Sequence, residues 1–408
     1  MRSPREAIAE ILDAVTPLTE VEEVRLHTSS GRVLAEAPIS DVDLPPFEKS
    51  MMDGFAVRAS DCTETGFRLK VVGESRAGSA FTGAVGPGEA VEIYTGAPLP
   101  PELDSVQMIE KTRREGDAVA SDAPVAAGQN VAHLGEILKV GRPVLEAGRR
   151  ITPMDLSLLA AVGADPVRVM RRPRVTILTT GDELVAASET PGPDQIREGN
   201  TLFLAARAAS PVPGCEVVRV GVVKDDPAEL EAAFAQALEE SDALVTTGGV
   251  SMGRYDLVGP TLEKLGVEPI LHKVAIKPGK PIWFGKHGET LVLGLPGNPV
   301  SSLLGFDVFV QPALSKLGGC TGAEVREARF KGRWAGPKRK GGDRQFNLPA
   351  VLRQADDGVW EVAPAPWKGS ADIAGLSAAQ AFAVLEPGCE IAPGDPIDWR
   401  PFSGHGLD

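Results

Sequence analysis

The chain has 408 residues, 43% of them apolar, and its 56 acidic residues outnumber 42 basic ones to give a net charge of −14. So acidic a chain does not attract a polyanion, which argues against nucleic-acid binding, and the apolar fraction argues against disorder. The four cysteines show no paired metal-ligand spacing, which argues against a disulfide framework or a zinc site. Since neither a signal peptide nor a stretch of about 18 apolar residues is found, we expect a cytoplasmic protein of several domains with no membrane span.

The first part of the chain predicts a helix and then a small β domain. An amphipathic pattern indicates a helix over residues 4–16, with an apolar face at Ile8, Leu12 and Val15. Between about residues 50 and 132, glycine and proline interrupt short apolar runs that predict strands at 67–72, 90–94 and 106–110. Thr152 as N-cap and Pro153 at the first helical position then predict a helix over 154–162.

From residue 171 onward, predicted strands alternate with predicted helices. The strands are 174–178, 217–223, 243–246 and 290–293, and the helices run from Asp226 to about 240, over 260–265, and from 300 to about 317. This alternation predicts a parallel, doubly wound sheet. After about residue 320 strands return, and Asp357-Gly358 between two apolar runs predicts a hairpin within a C-terminal β domain.

Three glycine-containing turns, at 180–183, 247–251 and 295–299, follow strands predicted for this sheet. They should lie at the carboxyl ends of the strands, where open α/β sheets bind ligands. Glycine lets the backbone approach a ligand, and the start of the helix after Asn298 adds a partial positive charge. Such turns can also merely end strands, but three in one sheet favour a ligand site with residues Gly181, Gly248, Gly249, Ser251, Pro296, Gly297, Asn298 and Pro299.

Three lysines lie close together in the segment HKVAIKPGKP at 272–281. If the segment is extended, Lys273 and Lys277 point to the same side, and the Pro-Gly turn presents Lys277 and Lys280 together. Lysine acts as a point charge for phosphate or another oxyanion. A solvated charged edge has a similar composition, but the prolines and glycine that fix the cations favour an anion site.

Asp225 and Asp256 each lie near the end of a predicted strand. Two carboxylates beside a phosphate-rich ligand would suit Mg²⁺, a hard cation that takes oxygen ligands. Two surface acids would account for the pattern equally well. Asp226, next to the first of them, is interpreted as a helix N-cap.

Seven segments carry a resemblance to a known family. They read PPFEKSMMDGFAVRASD at 45–61, EIYTGAPLP at 92–100, TTGDEL at 179–184, VVKDDPAEL at 222–230, TTGGVSMGRYD at 246–256, KVAIKPGKP at 273–281 and GLPGNPVSS at 294–302. In this order and spacing, from about residue 4 to 402, the chain resembles the molybdopterin molybdenumtransferases, the MoeA and gephyrin E-domain group.

The resemblance implies an elongated, multidomain α/β and β subunit. A discontinuous N-terminal domain would comprise residues 1–45 and 133–170, with a β domain inserted at 46–132. A central doubly wound α/β domain that binds the pterin would follow at 171–320, and a C-terminal β domain at 321–408. The resemblance also implies a homodimer, in which the α/β domain of one subunit and the inserted domain of the other share the active cleft.

The activity that the resemblance implies is a transferase reaction, the last step of molybdenum cofactor biosynthesis. Molybdate and adenylylated molybdopterin would be the substrates, Mg²⁺ the metal cofactor, and molybdenum cofactor and AMP the products. Enzymes that accept the cofactor would be transient partners.

The resemblance further implies roles for individual residues. Catalysis would involve Asp53, Glu183, Asp225, Asp256, Lys273 and Lys277, with Asp225 and Asp256 also on the magnesium side. Asp53 and Thr95 would reach into the partner's cleft. Substrate would be bound by Thr95, Lys280 and Ser370 together with the turn residues Gly181, Gly248, Gly249, Ser251, Pro296, Gly297, Asn298 and Pro299.

Three departures from the family pattern leave an alternative open. Ile137 stands where an active-site aspartate is common, and Asn200 is all that remains of an Asp-Ser-Asn segment. Two expected arginines are displaced, with Arg344 one position away from the first and Leu348 in place of the second. The alternative is a divergent, non-catalytic molybdopterin-binding carrier or scaffold.

Overall fold

A computed structural model describes residues 1–62, 66–249, 257–325 and 328–402. Three six-stranded sheets form its framework, and several short two-stranded sheets lie outside them. No helix in these ranges is long and apolar enough to cross a membrane.

The first helix, Pro4–Ala14, begins at a reciprocal cap in which Ser3 accepts the Glu6 amide and the Glu6 carboxylate accepts the Ser3 amide. It ends before residue 16 because Val15 is extended. The helix packs into the core of the central sheet described below. Of the predicted face, Val15 is buried as expected, whereas Ile8 and Leu12 are only half-buried and border the fully buried Ala7 and Ile11.

The chain on either side of the inserted β region comes together. The strand Val21–Val24 pairs antiparallel with Val167–Met170, and Leu34 packs in one cluster with Leu159. The predicted cap of the helix Pro153–Ala161 is confirmed, because Thr152 accepts the Asp155 amide. The exact domain boundaries stay predictions.

The inserted region forms a mostly antiparallel sheet. In spatial order its strands are Ser105–Met108, Gly54–Val57, Glu89–Ile93, Phe67–Ser75, Ala118–Ser121 and Arg113–Glu115. The strands predicted at 67–72, 90–94 and 106–110 are confirmed with shifted ends. A short pairing of Lys49–Ser50 with Val131–Ala132 closes the region at its base.

The predicted doubly wound sheet is confirmed. In spatial order the strands of this central sheet are Glu216–Val223, Arg174–Thr180, Ala243–Thr247, Thr290–Leu295, Trp283–His287 and Glu268–His272. The first four are parallel, and Trp283–His287 runs antiparallel to both of its neighbours. The last two strands were not predicted.

Helices cover both faces of the central sheet, because its buried strands are apolar on both sides. Val245 faces a layer with Asn200–Ala209, Pro299–Gly305 and Gln311–Leu317, whereas Leu244 faces Pro227–Glu240 and Val258–Lys264. The single helix expected over 300–317 is divided by a π-helical turn, Phe306–Val310. The helix Asn200–Ala209 was not predicted.

The C-terminal sheet closes into a five-stranded barrel. Its strands are Phe330–Trp334, Gln345–Gln354, Trp360–Pro364, Ala381–Leu385 and Pro396–Pro401. The predicted hairpin is confirmed, since Gln345–Gln354 and Trp360–Pro364 pair antiparallel. The short strand Ile276–Lys277 joins the barrel by pairing with the start of Gln345–Gln354. The smaller elements are Leu26–Thr28, Ala59–Asp61, Ile109–Lys111, Leu184–Val185, Ile196–Arg197, Ala323–Val325, Arg339–Lys340, Ile373–Ser377 and Glu390–Ile391.

Candidate functional site

A cleft of about 1740 Å³ opens between the carboxyl edge of the central sheet and the C-terminal barrel. The central sheet contributes strand ends and turns, and the barrel contributes a second wall. Among the predicted site residues, the lining includes Gly181, Glu183, Asp225, Gly248, Gly249, Lys277, Lys280, Pro296, Gly297, Asn298, Pro299 and Ser370. Residues far apart in the sequence are thus brought to one cleft.

The floor of the cleft is made by strand-end turns packed against each other. Gly248 has φ +88°, and a Cβ there would lie 2.6 Å from a backbone oxygen of the neighbouring strand, so the position requires glycine. Its amide donates to the carbonyl of Leu295 at 3.1 Å. Asn200 Nδ2 donates to the carbonyl of Gly297 at 2.7 Å, so the unpredicted helix starts at the cleft and fixes the third turn.

One end of the cleft is acidic. Asp225 is half-buried, and its amide donates to Asp182 Oδ1 at 3.2 Å. Burial, and then the neighbouring charges of Asp182 and Glu183, raise the pKa of Asp225 above its usual range. The Glu183 carboxylate lies close over Gly181, where a Cβ would meet it at 2.6 Å. This end would gain from a bound cation.

The lining of the cleft also contains cations. Lys277 and Lys280 both line the cleft, and Lys277 Nζ lies 4.9 Å from the centre of the Phe346 ring. Because Ile276–Lys277 pairs with the start of the barrel strand Gln345–Gln354, Lys277 lies where the central region meets the barrel. The pair can offset the charge of an oxyanion.

Lys273 is placed differently. It has φ +69°, its amide donates to the carbonyl of Ile282 at 2.9 Å, and it is not part of the cleft lining. The expectation of an extended run that aligns Lys273 with Lys277 was wrong, because the chain folds back between residues 273 and 282.

Ser370 ties the barrel to the third turn. Asn298 Nδ2 donates to Ser370 Oγ at 2.9 Å, and the amide of Val300 donates to the Ser370 carbonyl at 3.1 Å. Two predicted residues from different parts of the chain therefore touch.

The sequence did not single out the remaining barrel residues as a wall of the cleft. Arg339 and Trp367 line it, as do Arg344 and Leu348 at the displaced arginine positions. The run of basic residues at 338–340 could have pointed to Arg339, but only closure of the barrel brings Trp367 to the cleft.

Asp53 and Thr95 lie outside this cleft, on the inserted sheet. The amide and the hydroxyl of Thr95 both donate to Asp53 Oδ1 at 2.7 Å. These bonds, the amide first, hold the pKa of Asp53 below its usual range. The two residues were predicted to act together, and they are in direct contact.

Other predicted residues fall elsewhere. Ser251 and Asp256 lie outside the described residues. The side chain of Ile137 is 76% exposed in a loop, and its amide donates to the carbonyl of Leu44. In the part of the chain that the structure describes, no three His, Cys, Asp or Glu side chains are grouped to hold a metal ion.

Comparisons with known proteins agree over almost the whole chain. Three family models match: the MoeA N-terminal region (domain I and II) over residues 2–163, a probable molybdopterin binding domain over 176–316, and the MoeA C-terminal region (domain IV) over 331–402. A molybdopterin molybdenumtransferase from Haemophilus influenzae is 34% identical over 413 residues, 98% of this chain and 98% of its own. One from Synechococcus elongatus is 40% identical over 304 residues, 72% of this chain and 75% of its own.

Solved structures are also similar. The crystal structure of a molybdopterin biosynthesis MoeA protein from Pyrococcus horikoshii aligns with a TM-score of 0.83 at 30% identity. The alignment covers 98% of this chain and 100% of that one.

Proposed function

The chain belongs to the molybdopterin molybdenumtransferase family, and from that premise we propose that it inserts molybdate into adenylylated molybdopterin and releases AMP. It would act in the cytoplasm, at the last step of molybdenum cofactor biosynthesis, and pass the cofactor to the enzymes that accept it.

The observation that carries this proposal is the distribution of charge in the cleft. Molybdate and an adenylylated pterin are both anions, and they repel each other in water. Lys277 and Lys280 lie on one side of the cleft, and the half-buried Asp225 lies at its acidic end. The lysines would offset the anionic charge and hold the two reactants together, which lowers the barrier by positioning and by electrostatic stabilisation.

The reaction needs an oxygen nucleophile to attack the adenylate phosphorus, whose bond to the pterin phosphate oxygen then breaks. Water as the nucleophile gives AMP directly, and the dithiolene sulfurs would then displace oxygen from molybdate as water. Molybdate as the nucleophile gives an adenylyl-molybdate, from which the dithiolene sulfurs would displace AMP. In the proposed mechanism Lys277 and Lys280 stabilise the charge that develops on the phosphate oxygens. Asn298 and Ser370, which are hydrogen-bonded to each other, would orient the oxyanion at the third turn. The close-packed glycine turns leave backbone within reach of the ligand.

Magnesium is the proposed metal cofactor, and Asp225 fits it. Burial and like charge make the ionised form of this carboxylate unfavourable, and a cation would reverse that. Magnesium commonly takes one or two carboxylates and completes its shell with water and substrate phosphates, so it does not need a cluster made only of protein groups. Asp256 would be the second carboxylate. The ion would supply neutralising charge at the phosphates.

We also propose a homodimer in which Asp53 and Thr95 complete the partner's cleft. In their own chain these two residues lie outside the cleft lining. The nearby segments 47–52 and 134–140 run side by side, with the Leu134 amide bonded to Glu48 at 3.0 Å. They expose apolar side chains that a partner would cover: Phe47, Met51, Met52, Leu134, Ile137 and Val140.

The test is incubation of the purified protein with adenylylated molybdopterin, molybdate and Mg²⁺. AMP and molybdenum cofactor should appear together, and omission of molybdate should prevent cofactor formation. Binding of the pterin without AMP release would instead favour the carrier or scaffold. Relatives 34% and 40% identical to this chain are named transferases, so the comparisons do not favour that alternative.

A further inference from the structure

The contact between Lys277 and Phe346 follows from strand pairing. In the register of Ile276–Lys277 with the barrel strand Gln345–Gln354, Lys277 is directly opposite Phe346, so the two side chains leave the same face. Lys277 Nζ lies 4.9 Å from the centre of the Phe346 ring, within the range of a cation–π attraction. Both residues line the cleft, so the contact belongs to the surface that a substrate would meet.

No acid competes for this lysine in the part of the chain that the structure describes. Lys277 is exposed, and among these residues its side chain forms neither an ion pair nor a hydrogen bond. A lysine has a long flexible stem, so ordering it when a ligand binds lowers the affinity. An acidic partner would order the stem but would also neutralise the charge that an oxyanion needs. An aromatic face restrains the ammonium and leaves its charge available.

Phe346 is itself restrained from the barrel side. Its ring is half-buried and packs against Trp367, with ring centres 6.1 Å apart and planes at 43°. Beside the contact, Arg344 Nη1 donates to the carbonyl of Ile276 at 3.3 Å, which ties the two paired strands together. The ring therefore offers the ammonium a surface whose position is set by the fold.

Lys280 shows the contrast within the same cleft. It also lines the cleft and is exposed, but no aromatic ring lies under its ammonium among the described residues. Its carbonyl accepts the amides of Val274 and Ile282, both at 3.0 Å. These bonds hold the backbone of the turn and leave the Lys280 side chain unrestrained.

We propose that Phe346 is a positioning residue, which holds the Lys277 ammonium in place in the cleft before the anionic group of the substrate binds. This rests on the proposed function for the identity of the anion, the linked phosphates of the adenylylated pterin. The ring attracts the ammonium in the free and in the bound protein alike, so its benefit is the ordering cost that binding no longer has. The effect should fall on affinity and KM, with little change in kcat.

Stepwise fluorination of the ring tests this role. Fluorine withdraws electrons from the face of the ring with little change of size, so mono-, di- and trifluorinated phenylalanine in place of Phe346 weaken the attraction in steps. The affinity for pyrophosphate, measured by calorimetry, should fall with each fluorine, by about fivefold for the trifluorinated ring. KM for AMP release should rise by the same factor. The same replacements of Phe330, which stacks on Trp399 outside the cleft lining, are the matched control and should change neither quantity.

A cycle of double variants tests whether Phe346 acts through Lys277. Phe346→Leu should weaken pyrophosphate binding by about fivefold, and Phe346→Tyr, which keeps an aromatic face, should retain most of the affinity. In the Lys277→Gln chain, Phe346→Leu should have little further effect, because the cation that the ring holds is gone. Phe346→Leu combined with Lys280→Gln should instead show both losses in full. Melting temperatures check that each variant is folded.

Three results would overturn the proposal: no trend along the fluorinated series, a loss from Phe346→Leu that is equal with and without Lys277, or no binding of pyrophosphate to the unaltered chain. A ring that only fills space would give the first two. The pyrophosphate measurements need no turnover, so a failed positioning role and a failed transferase activity are told apart.

Discussion

Asp225 and Asp53 are two carboxylates for which the family resemblance implies catalytic roles, and they stand in opposite surroundings. Asp225 is half-buried in the cleft, where burial and the neighbouring acids raise its pKa. Asp53 lies on the inserted sheet, where the amide and hydroxyl of Thr95 lower its pKa. Both environments come from the turns that hold these residues.

The different surroundings of the two carboxylates indicate what each region would need for activity. The cleft holds an acid, Asp225, whose ionised form is disfavoured by burial and by neighbouring acids, and the proposed Mg²⁺ would offset that. The inserted sheet holds an acid, Asp53, that already accepts two hydrogen bonds from Thr95 and lies outside the lining of the cleft. In the proposed function an ion would complete the first region and a partner subunit the second.

The largest effect should come from removing the carboxylates of the cleft. We expect Asp225→Ala combined with Asp256→Ala to lower AMP release by roughly a thousandfold or more, because charge stabilisation at the phosphates is lost. The measurement is AMP formation, with circular dichroism as the check of the fold. Calorimetry with Mg²⁺ alone should show lost binding.

Asp226→Ala is the control for that pair. Asp226 neighbours Asp225 but caps a helix, accepting the amides of Ala228 and Glu229. Its removal should cost about 1 kcal/mol of stability and leave AMP release nearly unchanged. Normal AMP release by the double variant would refute the metal role of Asp225.

A smaller loss is expected from the cation side. Lys277→Gln should lower kcat/KM for AMP release by about a hundredfold, since a charge aimed at the developing oxyanion disappears. Lys273→Gln should lower it much less, because Lys273 lies outside the cleft lining. Steady-state kinetics of the two variants measure this difference, and equal losses of kcat/KM would mean that Lys273 reaches the substrate.

These two lysines also show how far the sequence predicts the site. The glycine turns were found because each follows a strand, and parallel strands end at the same edge of a sheet. Lys277 was found because prolines and a glycine fix it. Lys273 was misplaced because its positive φ and its bond to Ile282 depend on the neighbouring chain, which no local pattern reveals.

The barrel wall shows the limit more clearly. The sequence predicted strands and a hairpin beyond residue 320, and the structure confirms them. It could not predict that Phe346 and Trp367 face the cleft, because this depends on closure of the barrel and on its pairing with Ile276–Lys277. Long-range pairings carry that information, and hydrophobic periodicity does not.

Mixed dimers test whether the inserted sheet completes the cleft of a second subunit. Asp53→Ala and Lys277→Gln chains should each have little activity alone. If the cleft is shared, half of the dimers formed by mixing are hybrids, and one of the two sites in each hybrid is intact. Activity should then return to about one quarter of the unaltered level. Activity that stays at the average of the two variants would mean that each subunit works alone.

The smallest effect concerns the Asp53–Thr95 contact itself. Thr95→Val removes the hydroxyl donor but keeps the amide, which is the larger cause of the lowered pKa. The pKa of Asp53 should therefore rise but stay below its usual value. Since a lowered pKa gives stability that is present above the unfolded pKa and lost as pH falls through the folded one, this loss should be smaller in the variant and complete at a higher pH.

The measurement is a pH titration of ¹³C-labelled aspartate carboxyls by NMR, with Asp53 identified from its missing signal in Asp53→Asn. Thr112→Val is the matched control, because Thr112 lies on the same inserted region and its hydroxyl donates to the carbonyl of Ile109 instead of to a carboxylate. An Asp53 pKa that is identical in Thr95→Val and in the unaltered chain would mean that the amide alone sets it. The Thr95 amide would then account for the lowered pKa of Asp53, and the role of the Thr95 hydroxyl would be to contact the ligand in the partner's cleft.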